Sequence, residues 1–488
     1  MNRYLAIDLG AESGRGVLVT LDAGIVGMEE IHRFPNRPVR LAGTLYWDFP
    51  FLFAEIIATL KQCAERQITL DAIGVDTWGV DFGLLGADDK LLSCPVHYRD
   101  GRTDNIHDYS DAVMSRREIF TATSCEPWAI SSLFQLLAMQ RDGSPILGAA
   151  KTFLNVPDLI NFFLTGVKAS EKTIVSTANL MDTKGNWARD VIERFKLPGI
   201  FGKLVEPGTV LGPLSDSLRE QTGLGAVPVV ATCGHDTSAV AAAVPAEGDN
   251  WAFLSCGTWS ILGELLDEPV TTAAAYEQGC CNEYTLDAWF ICRNILGLWL
   301  VQELRRKWDT SGDAWDYNRM TAEAARAESI GMFNVEDGSL MAPADMEQAQ
   351  LDLLESLGQP KPASRGQLIR CVLESLSLEY AHRLRLIDGL TAQKTDTLYM
   401  VGGGIANTLL CQLTANALGL PVYAGADQCT ALGNALTVAA GMGALGGPDE
   451  IRQVMRNSFE LKLYAPQEPG LWAGKLDQYS QLKSSSRR

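Results

Sequence analysis

The chain predicts a duplicated α/β fold, and three observations carry that prediction. Tyr4-Leu-Ala-Ile-Asp8-Leu-Gly10-Ala-Glu-Ser13-Gly-Arg15 and Trp251-Ala-Phe-Leu-Ser255-Cys-Gly257-Thr258-Trp-Ser260 share one pattern: an apolar run, a polar residue, a glycine two places on and a serine three beyond that. A second apolar run follows each, Val17 to Leu21 and Ile261 to Leu266, so both read as a strand, a tight glycine turn and a returning strand. Such a tip presents backbone N–H groups to an anion, and two copies predict two halves gripping one polyphosphate.

The elements follow in order. Ile25 to Phe34 reads as a third strand, and Asp48-Phe-Pro50 starts a helix through Leu52, Ile56, Ile57 and Leu60 at helical spacing. Ala72-Ile-Gly-Val-Asp76 is a short strand that runs into Thr77-Trp78-Gly79-Val80-Asp81. Three hairpin-linked strands, a helix and another strand are the opening order of a ribonuclease H-like half. From Tyr98 to Pro228 the pattern is less regular, with helical stretches at Leu133 to Met139 and Val156 to Leu164, and reads as an elaboration of that half. A strand from Leu224 to Ala231 returns to the core, and His235-Asp236-Thr237 opens an alanine-rich helix from Ser238 to Val244. Pro245 to Asn250 is short and polar, and marks the domain boundary.

The second half repeats the scheme. Its hairpin is followed by predicted helices from Asn294 to Trp308 and Gln367 to Ile387, and by a strand from Thr397 to Val401. Gly402-Gly403-Gly404 comes next, then a helix from Asn407 to Leu418, a strand at Pro421 to Tyr423 and a final helix from Ala431. The Ser484 to Arg488 tail is expected to fray. The expected architecture is α/β, two ribonuclease H-like (actin/hexokinase-like) domains with a central interdomain cleft. Residues 1–245 form the first domain, 246–445 the second, and 446–488 a C-terminal extension.

Composition narrows the partners. With 488 residues and 47% hydrophobic content the chain can bury large cores. A net charge of −18 argues against a nucleic-acid surface, so any phosphate is held locally by backbone N–H groups, a few cationic side chains and a divalent metal. The eleven cysteines show neither Cys-x-x-Cys pairs nor zinc spacing, and Cys280 and Cys281 are adjacent, too close for an ordinary disulfide. They read as small buried hydrophobes in a reducing cytosol. No basic leader segment and no membrane-length apolar run is present in the sequence, so a cytoplasmic protein without a membrane partner is expected.

Several residues are candidates for chemistry. Asp8 ends a strand before the first turn, where a carboxylate either holds Mg²⁺ or is simply a solvated turn residue. Gly10, Ser13 and the cationic Arg15 follow at once, which favours the metal reading. Thr258 offers a hydroxyl and an N–H at a second tip that lacks a carboxylate, so that tip suits phosphate rather than metal. The triglycine permits close approach of a ligand or is only a turn; it does not match the spaced glycines of a dinucleotide site. Asp236 is the chosen general base, able to take the proton of a sugar hydroxyl during in-line phosphoryl transfer, although on spacing alone it also reads as a helix cap. Trp78-Gly79 and Tyr98-Arg99-Asp100-Gly101-Arg102 form either a sugar pocket or core. Asn294 and Gln302, eight apart, fall on the same face of one predicted helix, or on its polar edge.

Taken together these motifs resemble the FGGY family of carbohydrate kinases over nearly the whole chain. The segments concerned are Asp8 to Arg15, Ile73 to Phe82, Tyr98 to Thr103, His235 to Thr237, Ser255 to Ser260, Asn294 to Gln302 and Gly402 to Asn407. Within the family the match is to the branch that phosphorylates L-rhamnulose at O1 in L-rhamnose breakdown. The resemblance implies that Ala11, Glu12, Ser13, Gly14, Arg15, Thr258, Gln302 and Gly403 contact ATP. It also implies that Gly79, His235, Asp236, Thr237 and Asn294 contact the ketose, with Asp236 as proton acceptor, and that Asp8 supports the Mg²⁺ accompanying ATP. A small-molecule sugar and ATP are the implied partners, in a monomer or homodimer. Glu12 and Gly234 depart from the residues common in the family, and Ala11 fits the rhamnulose branch. Other FGGY substrates (L-fuculose, xylulose, ribulose or glycerol) and an actin- or Hsp70-like nucleotide switch are the competing readings, and an NAD-dependent dehydrogenase is disfavoured by the missing glycine fingerprint.

Overall fold

The computed structural model describes residues 1–310 and 312–485. In chain order the elements used below are β1 (Asn2–Leu9), β2 (Ser13–Asp22), β3 (Ile25–Pro35), α1 (Phe49–Glu65), β4 (Ala72–Thr77), β5 (Thr209–Pro213), β6 (Pro228–Ala231) and α2 (Asp236–Ala242). They continue with β7 (Trp251–Cys256), β8 (Trp259–Leu266), β9 (Cys281–Thr285), β10 (Ala288–Leu296), α3 (Trp299–Thr310), α4 (Arg365–Thr391) and β11 (Thr397–Val401). The last are α5 (Thr408–Leu418), β12 (Val422–Ala424), α6 (Cys429–Gly441), α7 (Pro448–Ser458), β13 (Lys462–Tyr464) and α8 (Pro469–Ser485). Of the tail expected to fray, Ser484 and Ser485 end α8, and residues 486–488 lie outside the described residues.

Two compact units divide the chain, and neither is continuous. One comprises residues 1–243, 265–291 and 429–458; the other comprises 244–264, 292–428 and 459–488.

In the first unit the strands lie in the order β5-β6-β4-β1-β2-β3. β1 runs antiparallel to β2 and parallel to β4, and β4 runs parallel to β6. The inner strands read as near-continuous apolar runs because both faces are covered. On one face α1 packs Leu52, Ile56 and Leu60 into a cluster with Leu5, Ile7, Ile73, Val75 and Val229. Asp48 begins that helix by accepting the Phe51 N–H at 3.2 Å, with Pro50 in the first turn where no donor is needed. The elaboration between β4 and β6 has a core of its own, built on Phe82, Phe134, Leu137, Phe153 and Val191.

The second sheet, with seven strands in the order β9-β10-β8-β7-β11-β12-β13, repeats the topology from β10 onward. Here β7 is antiparallel to β8 and parallel to β11, β11 is parallel to β12, and β13 closes the row antiparallel, as β5 does in the first unit. Duplication is thus visible in strand order and direction.

Two sequence expectations change. The predicted helix from Asn294 is a strand up to Leu296, and the helix begins only at Trp299. Helices α7 and α8 follow the one expected to be last.

Candidate active site

The parallel strands of the first unit end along one edge of its sheet, where open α/β sheets place their ligand sites. The β1–β4 register sets Asp8 opposite Asp76 and Leu9 opposite Thr77. Beyond β6 the chain returns to the same edge, where the Thr77 N–H donates to the Gly234 carbonyl at 2.9 Å and a bridge joins Thr77 to His235. Three aspartates therefore converge: Asp8, Asp76 and Asp236. Burial, then the charges of Asp8 and Asp236, push the Asp76 carboxyl well above the usual carboxylate range. Asp76 Oδ2 accepts from Asn434 Nδ2 at 2.6 Å, whereas its buried Oδ1 has no partner among the described residues.

The first hairpin tip is held from behind. Gly10 N–H donates to the Ser13 carbonyl at 2.9 Å, and Asn36 donates from its side chain to the Gly10 carbonyl and from its backbone to the Glu12 carbonyl, each at 2.9 Å. Glu12 itself is exposed. Arg15 directs Nε and Nη2 to Asp8 Oδ2 at 2.9 and 2.8 Å, so its cation holds the carboxylate in place. Gly14 admits no side chain, because a Cβ would enter the Phe34 ring and the Leu9 side chain.

Asp236 begins α2, and His235 rather than Asp236 occupies the cap position, without a side-chain cap bond. The expected cap role is therefore not the one the structure shows. Asp236 Oδ1 accepts from the Thr237 N–H at 2.5 Å and from Thr237 Oγ1 at 3.1 Å, and lies 3.3 Å from His235 Nε2. No hydrogen bond to Oδ2 occurs among the described residues, and the side chain is 36% exposed. Burial of its surroundings and the charge of Asp8 raise the Asp236 pKa, while His235 opposes the shift. His235 Nδ1 sits 2.8 Å from Glu283 Oε2, an ion pair off the linear direction of a hydrogen bond. Burial disfavours the imidazolium, yet Glu283 and Asp236 outweigh it and carry the His235 pKa up to about 9.

Behind this loop Glu171 is buried and accepts the N–H groups of Gly234, Thr173 and Ile174 at 3.0, 2.7 and 3.3 Å. Gly79 lies against Thr177, whose Oγ1 accepts the Val80 N–H at 3.1 Å. Trp78 is core: its ring lies 4.0 Å from that of Trp47, and both indole N–H groups donate to buried Asp81, at 3.1 and 2.6 Å. Its ring is packed into the core and offers no open face.

In the second unit, Thr258 is exposed at the tip between β7 and β8. The chain entering α3 is fastened to that tip, with Leu298 N–H to the Gly257 carbonyl at 2.9 Å and Trp299 N–H to the Thr258 carbonyl at 3.1 Å. A Cβ on Gly297 would stand 2.7 Å from the Gly257 oxygen. The next turn of α3 carries Gln302, whose N–H donates to the Leu298 carbonyl at 2.8 Å. From the other side Gly402, at φ +84°, and Gly404 press against Cys256, while Gly403 between them is exposed and open. The tip thus gathers Thr258, Gln302 and Gly403. Asn294 belongs to β10, so the shared helix face expected for Asn294 and Gln302 does not exist.

The two tips also differ. Leu9 pairs with Gly14, but Cys256 pairs with Ser260, which makes the second tip one residue shorter. Ser260 therefore takes the ladder place of Gly14 rather than Ser13, and its buried hydroxyl meets the Tyr380 hydroxyl at 2.8 Å. Reading the sequence missed Asp76, Glu171 and Glu283; Asp76 stands inside a motif already singled out, whereas Glu171 and Glu283 carry no local signal.

Comparison with known proteins agrees with this duplicated arrangement. Residues 3–243 match the N-terminal domain, and residues 252–442 the C-terminal domain, of the FGGY family of carbohydrate kinases. The chain belongs to that family and is a carbohydrate kinase. It is 40% identical to the rhamnulokinase of Bacteroides thetaiotaomicron, covering 96% of this chain and 97% of that one. It is 31% identical to the rhamnulokinase of Ligilactobacillus salivarius over the full length of both. Among solved structures it resembles a ligand-bound xylulose kinase from Lactobacillus acidophilus (TM-score 0.84, 16% identity, 99% and 98% of the two chains). It also resembles Plasmodium falciparum glycerol kinase with ADP (TM-score 0.80, 15% identity, 100% and 98%). Among the described residues no helix is long and apolar enough to cross a membrane.

Proposed function

We propose that this carbohydrate kinase transfers the γ-phosphoryl group of ATP to O1 of L-rhamnulose, with Asp236 as general base. The observation that carries the reading is the division of labour within one carboxylate. Oδ1 of Asp236 is tied to Thr237 and His235, while Oδ2 has no hydrogen-bond partner among the described residues, on a side chain that is 36% exposed and feels the charge of Asp8. A base so oriented removes the hydroxyl proton as the sugar oxygen attacks phosphorus, which needs little else but positioning and charge neutralisation. The first tip, Ala11 to Arg15, and the second, with Thr258, Gln302 and Gly403, offer the nucleotide backbone N–H and hydroxyl groups. Gly79, His235, Thr237 and Asn294 orient the ketose. Rhamnulose is favoured over other ketoses by relatives 31–40% identical over essentially the whole chain that carry the name rhamnulokinase.

Magnesium fits the donor set. Asp8 offers carboxylate oxygen, the ligand type a hard cation takes, and Asp76 Oδ1 is a buried oxygen lacking a partner among the described residues. Among the described residues no group of three or more acidic, histidine or cysteine side chains could hold a metal ion by itself, so a bound ion would take its remaining ligands from phosphate oxygens and water. When bound, the ion neutralises charge on the transferring phosphoryl group.

A coupled assay of ADP release over L-rhamnulose, L-fuculose, xylulose, ribulose and glycerol tests the reading; rhamnulose should give the highest kcat/KM, and a better ketose would displace it. Asp236→Asn should lower kcat by at least about a hundredfold and leave ADP affinity, measured by calorimetry, within about twofold. Equal losses in both would remove Asp236 from the role of base.

A further inference from the structure

We propose that Glu283 is a positioning residue for the general base, acting through His235 in a carboxylate–imidazole–carboxylate array that ends on Asp236. The inference rests on the kinase reading above. Glu283 Oε2 lies 2.8 Å from His235 Nδ1, and His235 Nε2 lies 3.3 Å from Asp236 Oδ1. One ring thus faces two carboxylates, one at each nitrogen. Because Oδ1 is the atom occupied, the array fixes which oxygen of Asp236 is left for the substrate.

Glu283 is not an incidental neighbour. Its strand, β9, is fastened on both sides of that residue: Ser238 Oγ donates to the Tyr284 carbonyl and Thr285 Oγ1 to the Ser238 carbonyl, each at 2.7 Å. The Tyr284 N–H donates to Ser176 Oγ at 3.0 Å, and Asn282 N–H and Nδ2 both reach the Ser124 carbonyl at 2.9 Å. Ser238 lies on α2, two residues after Asp236, so the same hydrogen bonds that register β9 also register the base. The Glu283 side chain is 8% exposed and His235 12%, which makes their charges strongly felt by each other. An unpaired carboxylate at that depth is costly, so Glu283 needs the proton on His235 as much as His235 needs Glu283.

The charged groups facing the ring are Glu283 from β9, Asp236 beside it on the chain, and Glu171, whose Oε2 accepts the Gly234 N–H at 3.0 Å. Together they hold His235 as an imidazolium through neutral pH. A cation at Nε2 keeps Asp236 ionised, the form able to accept a proton. Removing the charge of Glu283 should therefore act on both partners: His235 loses its proton at lower pH, and Asp236 gains one at higher pH.

The test combines kinetics with a substrate-free measurement. In Glu283→Gln the acid limb of the kcat/KM profile should move up and the alkaline limb down, each by about one pH unit or more, narrowing the profile, with kcat reduced about tenfold or more. Glu283→Asp keeps the charge and should return both limbs toward their original positions. Selective ¹⁵N labelling of the five histidines, with His235 assigned by His235→Gln, should show that imidazole charged above pH 8 in the wild type and titrating near 6.5 in Glu283→Gln. A merely structural Glu283 would lower the amplitude without moving either limb, and that result overturns the proposal. So does a wild-type His235 that titrates as an ordinary histidine. Because the nuclear resonance titration uses no sugar, it stands even if rhamnulose proves to be the wrong ketose.

Discussion

At Glu171 a buried carboxyl group is surrounded by donors rather than by cations, and burial pushes its pKa from 4.5 to about 7. A raised carboxyl pKa means that the folded state binds the proton more tightly than the unfolded state. The stabilisation it gives is complete below about pH 4.5 and is lost as pH rises through about 7, on the order of 3 kcal/mol for so buried a group. Wild-type stability relative to Glu171→Gln, from urea unfolding, should accordingly fall between those limits; a difference that stays constant with pH would show that the carboxyl does not titrate on folding. Asp236 was legible in the sequence as a candidate because it stands at a strand-to-helix junction beside two other polar residues. Glu171 and Glu283 were not, since each reaches the His235 loop from a distant segment and only the tertiary fold reveals the neighbour. Trp78 was legible only as an ambiguity, which the bond from its indole N–H to Asp81 resolves in favour of core.

Among the elements, α2 and α6 approach most closely at Ala239 and Gly433, where any Cβ on the glycine would overlap the Ala239 carbonyl. Helices that meet at backbone distance move apart when a methyl group is inserted, and such overpacking costs about 1–3 kcal/mol. Gly433→Ala should therefore lower the thermal midpoint by several degrees. Since α2 begins with Asp236, kcat should fall too, beyond what the loss of folded protein explains. An unchanged midpoint would mean that the contact is soft. The hairpins and β11 were legible because strand runs bounded by glycine leave little choice, and Thr397–Val401 is placed as the sequence reads. The error at Asn294 has a local cause. From Ile295 to Trp299 the chain continues without a polar break, and only Gly297, pressed against the second tip, marks where strand becomes helix. Helices α7 and α8 each begin with proline, and Asp449 and Glu450 sit in the first turn of α7, a start signal the sequence reading passed over.

Considered as a molecule, the chain does not build its units in sequence order. The first unit takes α6 and α7 from residues 429–458, and through α6 it acquires Asn434, which satisfies Asp76 Oδ2, and Gly433, which seats α2. A fragment of residues 1–243 lacks both, together with Glu283. It should fail to melt cooperatively by circular dichroism, although it spans the whole N-terminal domain match at 3–243. A cooperative transition near that of the full chain would mean that the later segments are accessory.

The shorter tip between β7 and β8 has a consequence for anyone recombining the halves. Transplanting the longer loop, residues 10–13, in place of residues 257–259 would add its extra position between the closing pair Cys256 and Ser260 and not within the ladder, as the same four residues already sit between Leu9 and Gly14. Leu262 would keep its buried face, so interchange between the duplicated arms is limited by what the tip touches, Gly297 above all, and not by strand register.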